Sequence, residues 1–191
     1  FGAVSVDLCC GLGGDLLAMA DHGQSLGIDI DPVSALLADA NCQRLGITTG
    51  SAQVGDARHP ALEAGVRWHI DPDRRAQGTK SIQAEFWEPN ADSLRHLIAQ
   101  YPNGAIKLAP ATVLPEDFPP EVECEWIGQP RSCRQQVAWF GDLSRHPSMH
   151  TATVFAPNER HHPAPLHANP DQAVPAAANP HPSVATPPRH A

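Results

Sequence analysis

Three short segments carry residue types suited to holding a nucleoside. The first is Val6-Asp7-Leu8-Cys9-Cys10-Gly11-Leu12-Gly13-Gly14-Asp15. Here a β-branched run gives way to glycines, which let a backbone approach a ligand closely. A helix starting at this point would also present N–H groups that lack intrahelical partners. Cys10, Gly11, Gly13 and Gly14 form the candidate cradle, and Asp7 is placed to accept from a ligand ammonium. The second segment is Gly27-Ile28-Asp29-Ile30-Asp31. An acidic residue beside a glycine loop can accept from both ribose hydroxyls. Asp29 is the candidate, with Ile30 next to it, while Asp31 is better explained as a helix cap. The third is Gly55-Asp56-Ala57. Asp56 can accept from an adenine amino group, and the Ala57 N–H can donate to the ring. Each segment alone is a common turn, but in this order and spacing they suit one adenosine ligand.

A fourth segment, Trp68-His69-Ile70-Asp71-Pro72-Asp73-Arg74-Arg75, offers reactive groups beside that ligand. Two carboxylates and two guanidiniums in five residues are costly to bury unless paired. Asp71, Pro72, Asp73 and Arg74 are the candidate catalytic residues. Asp71 would take a hydrogen bond or proton from a nucleophile. Arg74 and Arg75 would orient a phosphate or carboxylate. Lys107 interrupts the apolar run Ala105–Ala109, so it needs either a carboxylate partner such as Asp71 or a path to solvent. Arg131, Arg134 and Arg145 read equally as a basic patch or a solvated face. A dinucleotide-binding G-x-G-x-x-G loop would have its third glycine at Leu16. That departure weakens a NAD-dependent oxidoreductase reading.

These segments need a scaffold that brings strand ends together. Val4–Cys9 and Ser25–Ile30 read as strands, and Asp15–His22 as a short helix stopped by Gly23. Asp31-Pro32 starts a second helix, because Asp caps and Pro is tolerated at the first helical position. That helix runs to about Gly46. Ala52–Val54, Arg67–Ile70 and Ala105–Ala109 read as further strands, and Asp92–Gln100 as a helix. Glu123–Ile127 and Thr151–Phe155 are additional strand candidates. Such alternation predicts a mostly parallel sheet with helices on both faces.

The 191 residues suffice for one domain with a real core. With 21 acidic and 13 basic residues, net charge is −8. Attraction to a nucleic acid would therefore need a local patch or another domain. The five cysteines are odd in number and show no CxxC spacing. They suggest reduced thiols and a cytoplasmic protein, with no metal site. No apolar run approaches the roughly 20 residues that span a bilayer. The chain opens on Phe1 close to a strand and is expected to lack an N-terminal part. Residues 1–155 form the expected domain. From 156 to 191 lie nine of the twenty prolines and five of the eleven histidines. Imidazoles can bind metal, but the irregular spacing favours a disordered linker.

Asp7–Asp15, Gly27–Pro32, Gly55-Asp56 and Asp71-Pro72 resemble the ordered motifs of class I S-adenosylmethionine (SAM) dependent methyltransferases. The first two are also similar to those of trimethylguanosine synthase-like RNA methyltransferases. Asp71–Arg75, with Ile106–Pro110 and Glu125-Trp126-Ile127 through Trp139-Phe140-Gly141, resembles bacterial methyltransferases carrying a THUMP-like domain. The resemblance implies a Rossmann-like seven-stranded sheet with an antiparallel last strand and SAM at the glycine loop. It implies that Asp7, Gly11, Gly13, Asp29 and Asp56 contact the cofactor, and that Asp71 holds the catalytic-loop position. RNA is the candidate substrate, bound with help from a domain outside this chain. Two features depart from related enzymes. No aromatic follows Asp71-Pro72, so a base-stacking ring would have to come from elsewhere, Trp87 being the candidate. No Pro-Cys nucleophile is present. The competing class is a non-catalytic SAM- or nucleoside-binding module of an RNA-binding protein.

Overall fold

The computed structural model describes residues 4–73 and 87–155, together with the backbone of 165–168. Strand β1 (Ser5–Leu8) leads through the glycine loop into α1 (Gly14–Ala20). Strand β2 (Ser25–Asp29) leads into α2 (Pro32–Arg44), and β3 (Gly50–Val54) follows. Next come β4 (Arg67–Ile70), α3 (Ala91–Gln100) and β5 (Gly104–Leu108). The chain closes with β6 (Glu123–Gln129), β7 (Ser132–Trp139), β8 (His150–Val154) and β9 (Pro165–Ala168). Among the described residues no helix is long and apolar enough to cross a membrane.

All strands join one sheet in the order β3-β2-β1-β4-β5-β7-β6-β8-β9. The first five run parallel, and β7 lies antiparallel between β5 and β6. The expected mostly parallel sheet is therefore present, but among the described residues it has nine strands rather than seven. Antiparallel β7 is not the last, since β8 and a second antiparallel strand, β9, follow it. Two of the strands go beyond the sequence reading. β7 has a polar first half, Ser132–Gln136, that hides it from an apolar pattern. β9 falls within 156–191, where composition predicts no structure, and pairs antiparallel with β8 from His150↔Ala168 to Thr153↔Pro165.

Alternation along the strands separates two cores. Val6, Leu8, Trp68, Ile70, Ile106 and Leu108 pack with Leu94, Leu97 and Ile98 of α3. On the opposite face Cys10, Leu16, Ala38 and Cys42 form a smaller core under α1 and α2. Close packing there depends on small residues. A Cβ on Gly27 would fall 2.7 Å from Leu16 Cδ2, and one on Gly13 3.2 Å from Ala38 Cβ. Helix α2 accordingly turns Ala35, Ala38 and Cys42 inward and leaves Val33, Leu36 and Leu37 in solvent. It begins as expected, with the Asp31 side chain accepting from the Val33 and Ser34 amides.

Trp87, considered as a base-stacking ring, is only 2% exposed and belongs to the α3-side core. Its ring fills the fold and offers no platform to a base.

Candidate active site

Chain order reverses between β1 and β4, which are neighbours with Leu8 opposite Ile70. In open α/β sheets such a reversal leaves a crevice beyond the strands' carboxyl ends, because flanking connections leave toward opposite faces. The glycine loop leaves β1 there and the Asp71-Pro72-Asp73 segment leaves β4. Asp29 ends β2, and Gly55-Asp56-Ala57 follows β3. The four segments singled out in the sequence thus share one margin of the sheet.

The glycine loop is fixed from beneath. The Cys10 N–H donates to Ile28 O at 3.1 Å, and the Gly13 N–H to Cys10 O at 2.8 Å. The Gly11 N–H donates to Asp29 Oδ2 at 2.8 Å, and the Asp31 N–H to Asp29 Oδ1 at 2.9 Å. Asp29 is therefore both a strand-end carboxylate and the brace of the loop. Gly11 has φ 53 and Gly13 φ 89, conformations that glycine adopts without steric cost. A Cβ on Gly11 or Gly14 would meet nothing within 4 Å, so the loop's upper side is open. Cys9 takes φ 58 without being glycine, at a cost of about 1–2 kcal/mol. Leu12 and Ile30 present aliphatic surface around the loop, Ile30 at 63% exposure.

The two loop thiols are poor nucleophiles. Burial, then the nearby carboxylates Asp29 and Asp7, pushes Cys9 up to about 12. Cys10 is also pushed up to about 12, again first by burial. Both stay protonated at neutral pH, when nucleophilic attack requires a thiolate. The Cys10 side chain points into the α1–α2 core, so it shapes the cradle from below.

Asp7 sits deeper than its sequence position suggests. It is 1% exposed, and its Oδ1 lies 2.8 Å from His69 Nδ1 on the neighbouring strand. This partner takes one carboxylate oxygen, while Oδ2 is buried with no hydrogen-bond partner among the described residues. Burial raises its pKa, and the pairing with His69 offsets part of that rise. A raised carboxyl pKa means that the fold favours the protonated form. That stabilisation is full below the ordinary carboxylate range and is lost as pH rises through the folded value. Asp7→Asn is expected to be at least as thermally stable as wild type at pH 7. Its advantage should shrink as pH falls toward 4. Thermal melts across that range check this, and an advantage that grows on acidification would contradict it.

Asp56 is held by Arg58. The guanidinium Nε and Nη2 donate to the carboxylate at 2.7–3.0 Å, and the Arg58 amide donates to Oδ1. The hydrogen bonds from Arg58 hold Asp56 below the usual carboxylate range. Arg58 Nη1 also approaches Glu88 Oε1 at 3.9 Å. Glu88 in turn exchanges two 2.9 Å backbone hydrogen bonds with Asp73. Sequence reasoning missed Arg58, which links the loops after β3 and β4. Ala57 is buried.

Lys107 completes the margin. Its Nζ lies 2.7 Å from Asp15 Oδ2 and 3.1 Å from Asp71 Oδ2. Of the two sequence readings for Lys107, the carboxylate partner is the one observed, and Asp15 is a second partner that sequence could not supply. Burial acts to lower the Lys107 pKa, but the two carboxylates outweigh it and raise it. Pro72 is buried beneath the loop and Asp73 is exposed. Arg74 and Arg75 lie outside the described residues. The three other arginines do not form one patch. Arg131 and Arg134 are exposed at the β6–β7 turn, beyond the carboxyl end of β5, whereas Arg145 follows the opposite end of β7.

Residues on the far side of β5 act as scaffold. Trp126 Nε1 donates to Pro110 O at 2.9 Å, and Trp139 Nε1 to Glu125 Oε2 at 2.8 Å. These bonds tie β6 to the chain leaving β5 and β7 to β6.

No protein-family model and no curated protein matches the chain. Its fold is shared with a protein from Porphyromonas gingivalis assigned as a methyltransferase. That match has 18% identity and TM-score 0.60, and covers 87% of this chain and 44% of that one. At such identity the likeness establishes the architecture alone, a Rossmann-like α/β sheet. The chain spans less than half of that protein's length. Shorter alignments are found with two structures containing S-adenosylhomocysteine. Magnesium protoporphyrin IX methyltransferase from Synechocystis aligns at 18% identity and TM-score 0.44, over 59% of this chain and 49% of that one. A SAM-dependent methyltransferase from Thiobacillus denitrificans aligns at 23% identity and TM-score 0.40, over 56% and 41%.

Proposed function

We propose that this chain is the catalytic domain of a SAM-dependent methyltransferase. The observation that carries the reading is the crevice between β1 and β4, with an open glycine loop braced by Asp29 on one side and Asp71 on the other. The sheet order adds support. A dinucleotide-binding Rossmann sheet has strand order 3-2-1-4-5-6. Here antiparallel β7 stands between β5 and β6.

The residues fit the cofactor. Gly11 and Gly14 leave the space that a close-lying ligand backbone needs, and Gly13 shapes the turn between them. Asp29 has one oxygen on Gly11 and one on Asp31. A carboxylate offers about four acceptor sites, so two remain for ribose hydroxyls. Ile30 would flank the adenine, with the Asp56–Ala57 turn at its edge. Asp7, whose Oδ2 has no partner among the described residues, would accept from the ligand ammonium, and Cys10 supports the loop from beneath.

SAM, when bound, supplies a methyl group already activated by its sulfonium. Its transfer would form a nucleophile–carbon bond and break the carbon–sulfur bond, with the electron pair staying on sulfur. The protein's task is then chiefly alignment. Asp71 would take the nucleophile's proton or orient it by hydrogen bonding. Pro72 restricts its own φ and the backbone of Asp71, which holds that carboxylate in place. Asp73 anchors the segment through Glu88. Arg74, with Arg75, would bind an anionic group of the substrate.

RNA is the substrate class we favour, on the family resemblance and on Arg131 and Arg134 at the site margin. A further domain would supply most of the attraction that a chain of net charge −8 lacks. The cytoplasm is the expected location, on cysteine usage alone. Calorimetric titration with SAM, S-adenosylhomocysteine and NADH in parallel tests the cofactor. SAM and its demethylated product should bind and NADH should not. Tighter binding of NADH would replace this reading with an oxidoreductase. SAM binding without transfer of label to RNA, protein or small-molecule extracts would leave a binding module.

A further inference from the structure

We infer that Lys107 is a positioning residue that joins the two loops on which methyl transfer depends. Its ammonium ties Asp71, after β4, to Asp15, in the first turn after the glycine loop. The inference rests on the methyltransferase reading and adds to it the element that couples cofactor loop to catalytic loop.

The joint follows from strand alternation. Ile106 and Leu108 are buried in the α3-side core, so Lys107 between them points to the opposite face of the sheet, where α1 begins. Its ammonium sits 2.7 Å from Asp15 and 3.1 Å from Asp71. Two carboxylates touching one nitrogen lie within about 6 Å of each other, a range in which like charges repel appreciably. Without the ammonium the same pair would push the loops apart. An ion pair open to solvent on the carboxylate side is expected to add only modestly to global stability. Its effect is therefore expected in alignment, where a displacement of about 1 Å can cost roughly 100-fold in rate. No other described lysine or arginine is shown within ion-pair distance of Asp71. An arginine at 107 would keep the charge and can bridge two carboxylates with its fork.

Full-length protein carrying Lys107→Met, Lys107→Arg or Asp15→Asn tests this. Two quantities are read: SAM affinity by calorimetry, and transfer of labelled methyl from SAM to cellular RNA and protein extracts. Lys107→Met should bind SAM nearly as wild type does while transferring at least tenfold more slowly. Lys107→Arg should recover most of the rate. Asp15→Asn, a change at a half-exposed helix position, should slow transfer severalfold with SAM affinity held. It serves as the test if Lys107→Met does not fold. Wild-type transfer rates in both Lys107→Met and Asp15→Asn would overturn the proposal. So would a fall in SAM affinity that accounts for the whole loss of rate, since Lys107 would then act on binding alone. Failure of the underlying reading looks different, because wild type itself would then bind no SAM.

Discussion

Asp71→Asn is expected to leave SAM affinity nearly unchanged and to lower turnover by roughly 10²–10⁴-fold, the range for a lost general base. Asparagine preserves the size and much of the hydrogen bonding of the native side chain, but neither the charge nor the basicity. The substitution also removes one of the two carboxylates on Lys107. The remaining partner, Asp15, lies closer at 2.7 Å, so Lys107 stays anchored and the fold should persist. Asp71 does not brace the glycine loop, a task that falls to Asp29, and cofactor binding should therefore be spared. The measurement pairs calorimetry with labelled methyl transfer in full-length protein. Transfer at the wild-type rate would remove Asp71 as the base and leave the methyltransferase reading in place. Loss of SAM binding in proportion to rate would move Asp71 into the cofactor site.

Local pattern made the parallel half of the sheet legible. β1, β2, β4 and β5 are short segments with apolar residues at alternate positions and glycine, proline or aspartate nearby, and each is found within about a residue of its expected place. That the four segments share one margin was equally legible, because a reversal of chain order puts strand ends together and each segment follows an identifiable strand. β7 was not. Its first five residues, Ser-Cys-Arg-Gln-Gln, show no apolar alternation, although Gln136 is buried where it faces Leu108 of β5. The turn before it gave no signal either. Arg131 takes φ 66 after Pro130, where glycine or asparagine would announce a tight turn. The links that set charge placement were also out of reach. Asp7–His69 spans 62 residues and Lys107–Asp15 spans 92. Sequence supplies a demand for a partner at such positions, but tertiary topology chooses which one. Asp7 shows the consequence: its sequence position makes it an acceptor, and the adjacent strand adds a histidine that takes one of its two oxygens.

Asp29→Ala should weaken SAM binding more than tenfold, because in the proposed site the carboxylate would act on the ligand both directly and through the loop. The direct part would be the pair of ribose hydrogen bonds proposed for it. Hydrogen bonds to a charged group contribute about 1.5–3 kcal/mol each, so losing even one corresponds to at least a tenfold drop in affinity. The indirect part is the 2.8 Å bond from the Gly11 N–H, which fixes the loop in its open shape. Alanine leaves that amide and the Asp31 amide without their acceptor. Gly11 at φ 53 then has little to hold it, since glycine itself imposes no backbone preference. Asp29→Asn separates the two effects. Its side-chain oxygen can still accept from one amide, so the loop should stay nearer its native shape while the charge is lost. Affinity is expected to fall in the order wild type, Asn, Ala. Amide exchange of Gly11 should accelerate most in Ala. Calorimetry with SAM and hydrogen exchange on the ligand-free variants read the two parts independently. If Asp29→Ala binds SAM as tightly as wild type with its circular dichroism intact, Asp29 is a turn residue and the cofactor site must be sought elsewhere.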